Sequence, residues 1–461
     1  MKMLMHLRNK IFSRCTEEVI QEEKNEIAEL RSEIENLNKR LDSISKQLTF
    51  AIDRQYYFNA YTNPELLKLH SIPDHGVLLC GNYGNPNTGD EWMLDTMISY
   101  IRRYTKRQIT IMLEPNRLFD PSVYLKYGIE YIHYPKTVYD YDLIEKKFDV
   151  LIFGGGAIIQ DDIYWEAYDY GINICRTVVD LPLRFIAKKK KVICLGLSTS
   201  TELTNREYIE KLQAVINGST FFSMRDPYSI GTLEKAGICT DKVQLVHDIV
   251  YANEELGQVI EGSKHEKNDA DVMHVGLVYI VAEETKPLFR SLIDKIKKET
   301  EDSGRVCKIT IIPFFDDWHI DYRFYMDEVK DDSSVTVLRY DSDIKMVIDV
   351  FMKQDIVVCA RYHAILLALS LGVPCVALYY DTHQHYCNKV SYLMEQFGKS
   401  IENCVRISEI EHCETLLNQV ITEMNPDRIK DLAKDARKQI SRVLESFLYD
   451  LNIGISRKWV K

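Results

Sequence analysis

The sequence predicts an α/β fold of two doubly wound domains facing a cleft, preceded by an N-terminal coiled-coil helix. Three observations carry this. Short Val/Ile/Leu runs, among them 77–80, 150–153 and 356–360, alternate with longer amphipathic segments. The runs are continuous instead of alternating, as expected of parallel strands buried on both faces. The rhythm occurs in two blocks, 75–255 and 270–400, with a Glu-, Lys- and Asp-rich stretch between them, and an apolar heptad seam lies ahead of both.

In chain order, residues 1–60 come first. Ile20, Ile27, Leu30, Ile34, Leu37, Leu41, Ile44 and Leu48 follow a spacing of seven and then of three and four in turn. Ile-rich a and Leu-rich d positions favour a two-stranded parallel coil, hence a homodimer. The first fifteen residues spread Lys2, Arg8, Lys10 and Arg14 through their apolar side chains. That is no secretory signal, though a weak contact with an anionic membrane surface is compatible with it. No stretch reaches the roughly 20 apolar residues of a spanning helix.

In the first block the strand expectations are Val77–Cys80, Ile109–Leu113, Val150–Phe153 and Lys191–Leu197. In the second they are Val272–Ile280, Val306–Pro313, Val335–Arg339, Ile356–Ala360 and Val373–Tyr380, with a helix over Pro287–Thr300. Residues 401–461 read as a helical tail without strands. A chain of 461 residues fits two such domains, because one core rarely grows beyond roughly 250–300 residues. With 58 basic against 69 acidic side chains and a net charge of -11, a nucleic-acid-coating protein is excluded. The eleven Cys form no C-x-x-C pair and several sit in apolar runs, which points to reduced thiols and a cytoplasmic location.

Five clusters could carry chemistry. Gly81-Asn82-Tyr83-Gly84-Asn85-Pro86-Asn87-Thr88-Gly89-Asp90-Glu91 joins a strand to a helix, where glycines let backbone amides approach a ligand. Its spacing is neither G-x-G-x-x-G nor a P-loop, so a dinucleotide or nucleoside triphosphate is not expected. Gly154-Gly155-Gly156 ends another strand, where either a ligand or a packed neighbour must come close. Arg225 and Asp226 follow an apolar strand and Ser229 opens the next helix. Arg225 is either a fixed fork for a carboxylate or phosphate, or a plain surface pair with Asp226. Arg361 and His363 occupy the turn from Ile356–Ala360 into an apolar helix, where an Arg beside a helix N-terminus suits an anion and a His can donate a proton. After Tyr379 and Tyr380, the loop holds Asp381, His383, His385, Cys387 and Lys389. Its H-x-H-x-C lacks a fourth ligand at the usual spacing, so no metal is expected. Asp381, His383 and Lys389 are read as substrate contacts.

Taken together, these stretches resemble the polysaccharide pyruvyl transferase family. The matching motifs are G-N-Y-G-x-x-N-x-G-D-E (81–91), F-G-G-G (153–156), M-R-D-x-x-S (224–229), R-Y-H-A-x-x-x-A-L-S-x-G-V-P (361–374) and Y-Y-D (379–381), spread over residues 76–395. The resemblance implies a GT-B-like fold of two Rossmann-like domains. It implies transfer of a pyruvyl group from phosphoenolpyruvate to sugar hydroxyls as a ketal in surface glycan synthesis. On that resemblance Arg225 and Arg361 hold the donor and His363 is the general acid. Gly81, Asn82, Tyr83, Gly84, Asn87, Gly89 and Asp90 line the acceptor side, with Gly154, Gly155, Gly156, Ser229, Asp381 and His383 elsewhere in the cleft. Phosphoenolpyruvate is then a co-substrate with no further cofactor, and the acceptor is a glycan or lipid-linked sugar. The sequence departs from the family pattern at Cys194–Ser198, at His247-Asp248-Ile249, and in the longer His-rich loop after Asp381. Two other functions compete: a GT-B-type glycosyltransferase using a nucleotide sugar, and an inactive coiled-coil scaffold.

Overall fold

The computed structural model describes residues 71–113, 128–136, 138–164, 167–168, 171–262, 270–315, 320–340, 343–379, 384–398, 404–410, 415–417 and 426–450, with isolated positions before 71. The chain divides into two compact units, Met1–Leu67 and Lys68–Lys461. In the first, the described residues Lys24, Asn25, Ile27, Leu30, Arg31, Ile34, Leu37, Asn38 and Leu41 are helical and exposed. The seam residues Ile27, Leu30, Ile34, Leu37 and Leu41 are 50–63% exposed, so the expected coiled coil is not supported in the single chain. An a/d seam is buried only by a second helix.

The second unit holds two parallel sheets. The first comprises β1 (Gly76–Cys80), β2 (Ile109–Leu113), β3 (Glu130–His133), β4 (Phe148–Ile159), β5 (Lys191–Thr199), β6 (Phe221–Met224) and β7 (Val243–Leu245). The second comprises β8 (Val272–Val278), β9 (Val306–Ile311), β10 (Val335–Val337), β11 (Ile356–Cys359), β12 (Cys375–Tyr379) and β13 (Cys404–Arg406). Their orders are β3-β2-β1-β4-β5-β6-β7 and β10-β9-β8-β11-β12-β13. Each therefore starts in the middle and reverses direction there, in the doubly wound manner. Val77 pairs with both Ile109 and Val150, and Leu277 with both Ile311 and Val358, which fixes β1 and β8 as central strands. β1, β2 and β11 are buried throughout, which accounts for their unbroken apolar runs.

Beyond these strands the sequence concealed three short ones, β3, β7 and β13, and the last corrects the reading of 401–461 as purely helical. β3 spans four residues and β7 and β13 three each, too few to show a period, and β13 exists because β12 offers an edge, with Tyr379 opposite Arg406.

Helix α1 (Thr88–Tyr104) starts at the N-cap Asn87, whose side chain accepts from the Gly89 amide at 3.1 Å. It buries Trp92, Met93, Met97, Ile98 and Ile101. Helix α2 (Pro227–Lys235) is capped by Asp226, which accepts from the Ser229 amide at 2.7 Å, with Pro227 in the first turn. Helix α3 (Tyr362–Leu371) follows β11. It buries every residue from Ala364 to Leu371 and ends at Gly372, whose φ of 71° only glycine adopts easily. Helix α4 (Gln384–Gln396) follows β12. The final helix α5 (Pro426–Asp450) buries Ile429, Ala433, Ala436, Ile440, Leu444 and Phe447, a single stripe at helical spacing. One continuous apolar core joins that stripe to α1, α3 and the central strands of both sheets, so the two sheets are held in one body. Arg437 adds hydrogen bonds to the carbonyls of Tyr251 and Asn253.

Candidate active site

In open doubly wound sheets, ligands collect beyond the strand C-termini where the strand order reverses. Here both reversals face each other. The β1–α1 loop and the glycine end of β4 come from the first sheet, and the β11–α3 turn comes from the second. The sheets are stitched at this point: the Thr88 amide donates to the Phe314 carbonyl at 2.9 Å, and Asn87 bridges Phe315. Between them lies a cavity of about 490 Å³. Of the side chains expected from the sequence, Asn82, Asn87, Asp90, Arg225, Arg361 and His363 all line it.

One wall is cationic. Arg225 is 5% exposed; its Nη1 donates to Asp248 Oδ2 at 2.6 Å and lies 3.3 Å from His363 Nε2. It also stacks over the Tyr362 ring at 4.6 Å. Burial works against the Asp248 carboxylate, but the Arg225 guanidinium and the His363 ring more than offset that and hold it well below the usual range. His363 Nε2 lies 3.5 Å from the same Asp248 oxygen. That nitrogen thus has a partner in each state: neutral, it accepts from Arg225, and protonated, it pairs with Asp248. Its other ring nitrogen faces Gly89, where a Cβ would stand 1.9 Å from Nδ1. Arg361 caps α3 with no side-chain hydrogen bond and stacks on Phe315 at 4.9 Å. Nε of Arg225 and Nε of Arg361 are buried without a hydrogen-bond partner among the described residues. Such donors beside a helix N-terminus suit an anion.

The facing wall is built on Asp90, 6% exposed, whose Oδ2 accepts from Asn82 at 2.9 Å and Asn87 at 2.7 Å. Burial raises its carboxyl, and His363 and Asn82 partly counter that. Beyond it lie Tyr134, Ala157, Ile158, Gln160, Asn173 and Cys175, a neutral surface. Cys175 is a thiol pushed up to about 12 by burial and by the nearby Asp162.

The other expected residues support this arrangement from behind. Tyr83 is buried and donates to the Gly154 carbonyl at 2.8 Å. The Gly81 α-carbon lies against the Tyr83 ring, and Gly84 (φ 84°) donates its amide to Glu91 at 2.9 Å. A Cβ on Gly154 would stand 2.6 Å from the Tyr83 hydroxyl and one on Gly155 2.5 Å from Met93 Sδ, so packed neighbours require both glycines. Gly156 (φ 100°) lies beside Asp90. Ser229 is buried, bonded to Asp226 and Ser198. Asp381 and His383 lie outside the described residues.

A polysaccharide pyruvyl transferase family model matches residues 87–382, more than half of the chain. The chain belongs to that family. No significant match was found among curated proteins. Among solved structures, a UDP-N-acetylglucosamine 2-epimerase from Listeria monocytogenes, described as putative, is similar with a TM-score of 0.51 at 10% identity, covering 82% of this chain and 97% of that one. The UDP-GlcNAc 2-epimerase of Neisseria meningitidis, bound to UDP-GlcNAc, has a TM-score of 0.50 at 13% identity over 81% and 99%. This likeness concerns the fold, which is GT-B-like as expected.

For a pyruvyl transferase family member, sequence reasoning missed Asp248, the shared partner of Arg225 and His363. Its signals were a lone carboxylate in the largely apolar stretch Val243–Ala252 and the departure from the family pattern at His247-Asp248-Ile249, neither of which assigns it a role. Tyr134, Gln160, Asn173 and Tyr386 were missed as well, because they reach the cavity from four separate elements.

Proposed function

We propose that this protein transfers the pyruvyl group of phosphoenolpyruvate to two hydroxyls of a sugar, forming a ketal during surface glycan synthesis. The observation that carries the reading is the meeting of Arg225, Arg361, His363 and the open N-terminus of α3 across one cavity from Asp90. The guanidinium groups and the helix terminus would bind the donor's carboxylate and phosphate. His363 would protonate the methylene carbon through Nε2 while a sugar hydroxyl adds to the neighbouring carbon, its proton passing to Asp90. A second hydroxyl then displaces phosphate and closes the ketal, its proton passing to the now neutral His363 while the departing phosphate takes the proton held by Asp90. An acid so placed typically supplies roughly 100- to 10,000-fold. The Asn82–Asp90 segment and the neutral wall would receive the sugar, free or lipid-linked, with no cofactor. The exposed seam Ile27–Leu41 would pair two copies into a dimer, read out as halved mass on deleting residues 1–50.

Labelled phosphoenolpyruvate incubated with the protein and cell glycans should yield an acid-labile labelled ketal, and none with His363→Ala. The fold likeness to enzymes of UDP-sugars favours a second reading, a nucleotide-sugar glycosyltransferase. Thermal shifts separate them: phosphoenolpyruvate should raise Tm and nucleoside diphosphates should not. An inactive scaffold responds to neither.

A further inference from the structure

The donor assigned above carries about three negative charges near neutral pH, roughly two on its phosphate and one on its carboxylate. The cavity as built from Arg225, Arg361 and His363 does not match that charge. Arg225 is already compensated by Asp248 at 2.6 Å, and Asp90 adds a carboxylate on the facing wall. Arg361 and a protonated His363 are all that remain to meet a trianion.

A further cation is present. Lys389 lies on α4, lines the same cavity and is 7% exposed. It has no hydrogen bond or ion pair among the described residues. Its neighbours are Arg225 and Asp226 in the β6–α2 turn. His385, one turn earlier on α4, senses Glu202 and Lys235 as well as Lys389 and Asp226. Asp226 favours the charged amine from a distance but makes no ion pair with it; its oxygens accept from the Ser229 amide at 2.7 Å, the Ser229 hydroxyl at 2.8 Å and Ser198 at 2.9 Å. A buried amine beside a guanidinium with no carboxylate of its own is costly for a fold to keep unless something anionic arrives.

Resting on the proposed donor, we propose that Lys389 is a third anion anchor of the site and binds the phosphoryl end of phosphoenolpyruvate. A compact ammonium suits a phosphate as a point charge, while the planar guanidinium of Arg361 suits the carboxylate. Burial and Arg225 lower the Lys389 amine to about 7, so above that pH the empty site holds it largely neutral. Arrival of the phosphate reverses the balance, and the amine takes up a proton from solvent as the complex forms.

The test is calorimetric titration of the full chain with phosphoenolpyruvate and, separately, with inorganic phosphate. It is run at pH 8 in two buffers of different ionisation enthalpy, on wild type, Lys389→Met and Lys389→Arg. A charged hydrogen bond lost from a buried site predicts at least about tenfold weaker binding of both ligands to the Met variant. The Arg variant should recover part of that affinity. Proton uptake should be seen in wild type and be reduced in the Met variant, whose unliganded Tm should not fall. Unchanged affinity and proton uptake in Lys389→Met, with wild type binding normally, would overturn the role of Lys389 and leave the donor assignment standing. Weaker binding accompanied by a lower Tm and no recovery with Arg would reduce Lys389 to a structural part. Wild type that binds neither ligand would remove both readings.

Discussion

Replacing Gly89 by Ala adds one methyl group in a helix, a change that normally stabilises by roughly 0.5–1 kcal/mol. Here the new Cβ would stand 1.9 Å from His363 Nδ1 and 2.6 Å from its Cγ. Ordinary contact begins near 3.4 Å, so the ring must retreat by about 1.5 Å. The backbone at Gly89 has no left-handed φ to preserve, and the ring is the movable partner. A retreat of that size pulls Nε2 away from Arg225 at 3.3 Å and Asp248 at 3.5 Å. Misplacement by about 1 Å can cost roughly 100-fold in rate, some 2.7 kcal/mol. Gly89→Ala should therefore lose at least about 100-fold in kcat for pyruvyl transfer, with Tm changed by only a few degrees. Adding it to His363→Ala should cost little more, since both remove the same group. Gly231 is the control: it lies within α2 with nothing within 4 Å of its would-be Cβ. Gly231→Ala should keep full rate and gain a fraction of a kcal/mol. A Gly89→Ala enzyme within threefold of wild type would refute the packing argument for the imidazole.

Asp248→Asn leaves the buried Arg225 without its counter-ion and should destabilise by about 3 kcal/mol. Because the Asp248 carboxyl is held low in the fold, its contribution is present above the ordinary carboxylate pKa and is lost as pH falls through the lower folded value. In urea titrations the gap between wild type and variant should thus hold from pH 7 to about 5 and close only in strong acid. Lys389 has the opposite sign. Its folded value of about 7 lies below that of a free amine, so the unfolded chain binds more protons and unliganded stability should rise from about pH 7 towards 10. Lys389→Met should flatten that slope and be the more stable protein at pH 6, as read by Tm.

What the sequence showed and what it hid follow from one distinction. Central strands such as β1 and β11 are legible because burial on both faces leaves an unbroken apolar run. Edge strands such as β7 and β13 are held by a neighbour's free edge, which no local pattern records. The site divides in the same way. Arg361 and His363 could be read because a strand tip and a helix start placed them together locally. Asp248 could not, since its role comes from Arg225 and His363, which lie 23 and 115 positions away along the chain. Glycine motifs mislead when read as ligand contacts one by one. Gly154 and Gly155 make room for Tyr83 and Met93, and Gly89 makes room for the imidazole.

These glycines also explain how two sheets with separate topologies form one reactive centre. His363 belongs to the second sheet, yet its orientation is set from the first: Gly89 closes one ring nitrogen, and Arg225 and Asp248 hold the other. Neither half alone could position the proposed acid. The shared core through α1, α3 and α5 keeps the halves in register, and α5 contributes Ile440, fully buried within that core. Loosening this helix should then act on the chemistry without touching the cavity, since the imidazole's neighbours would move relative to its own backbone. The reactive geometry is a property of domain packing, and side chains that never meet a substrate, Gly89 and Ile440 among them, set its precision as much as those that do.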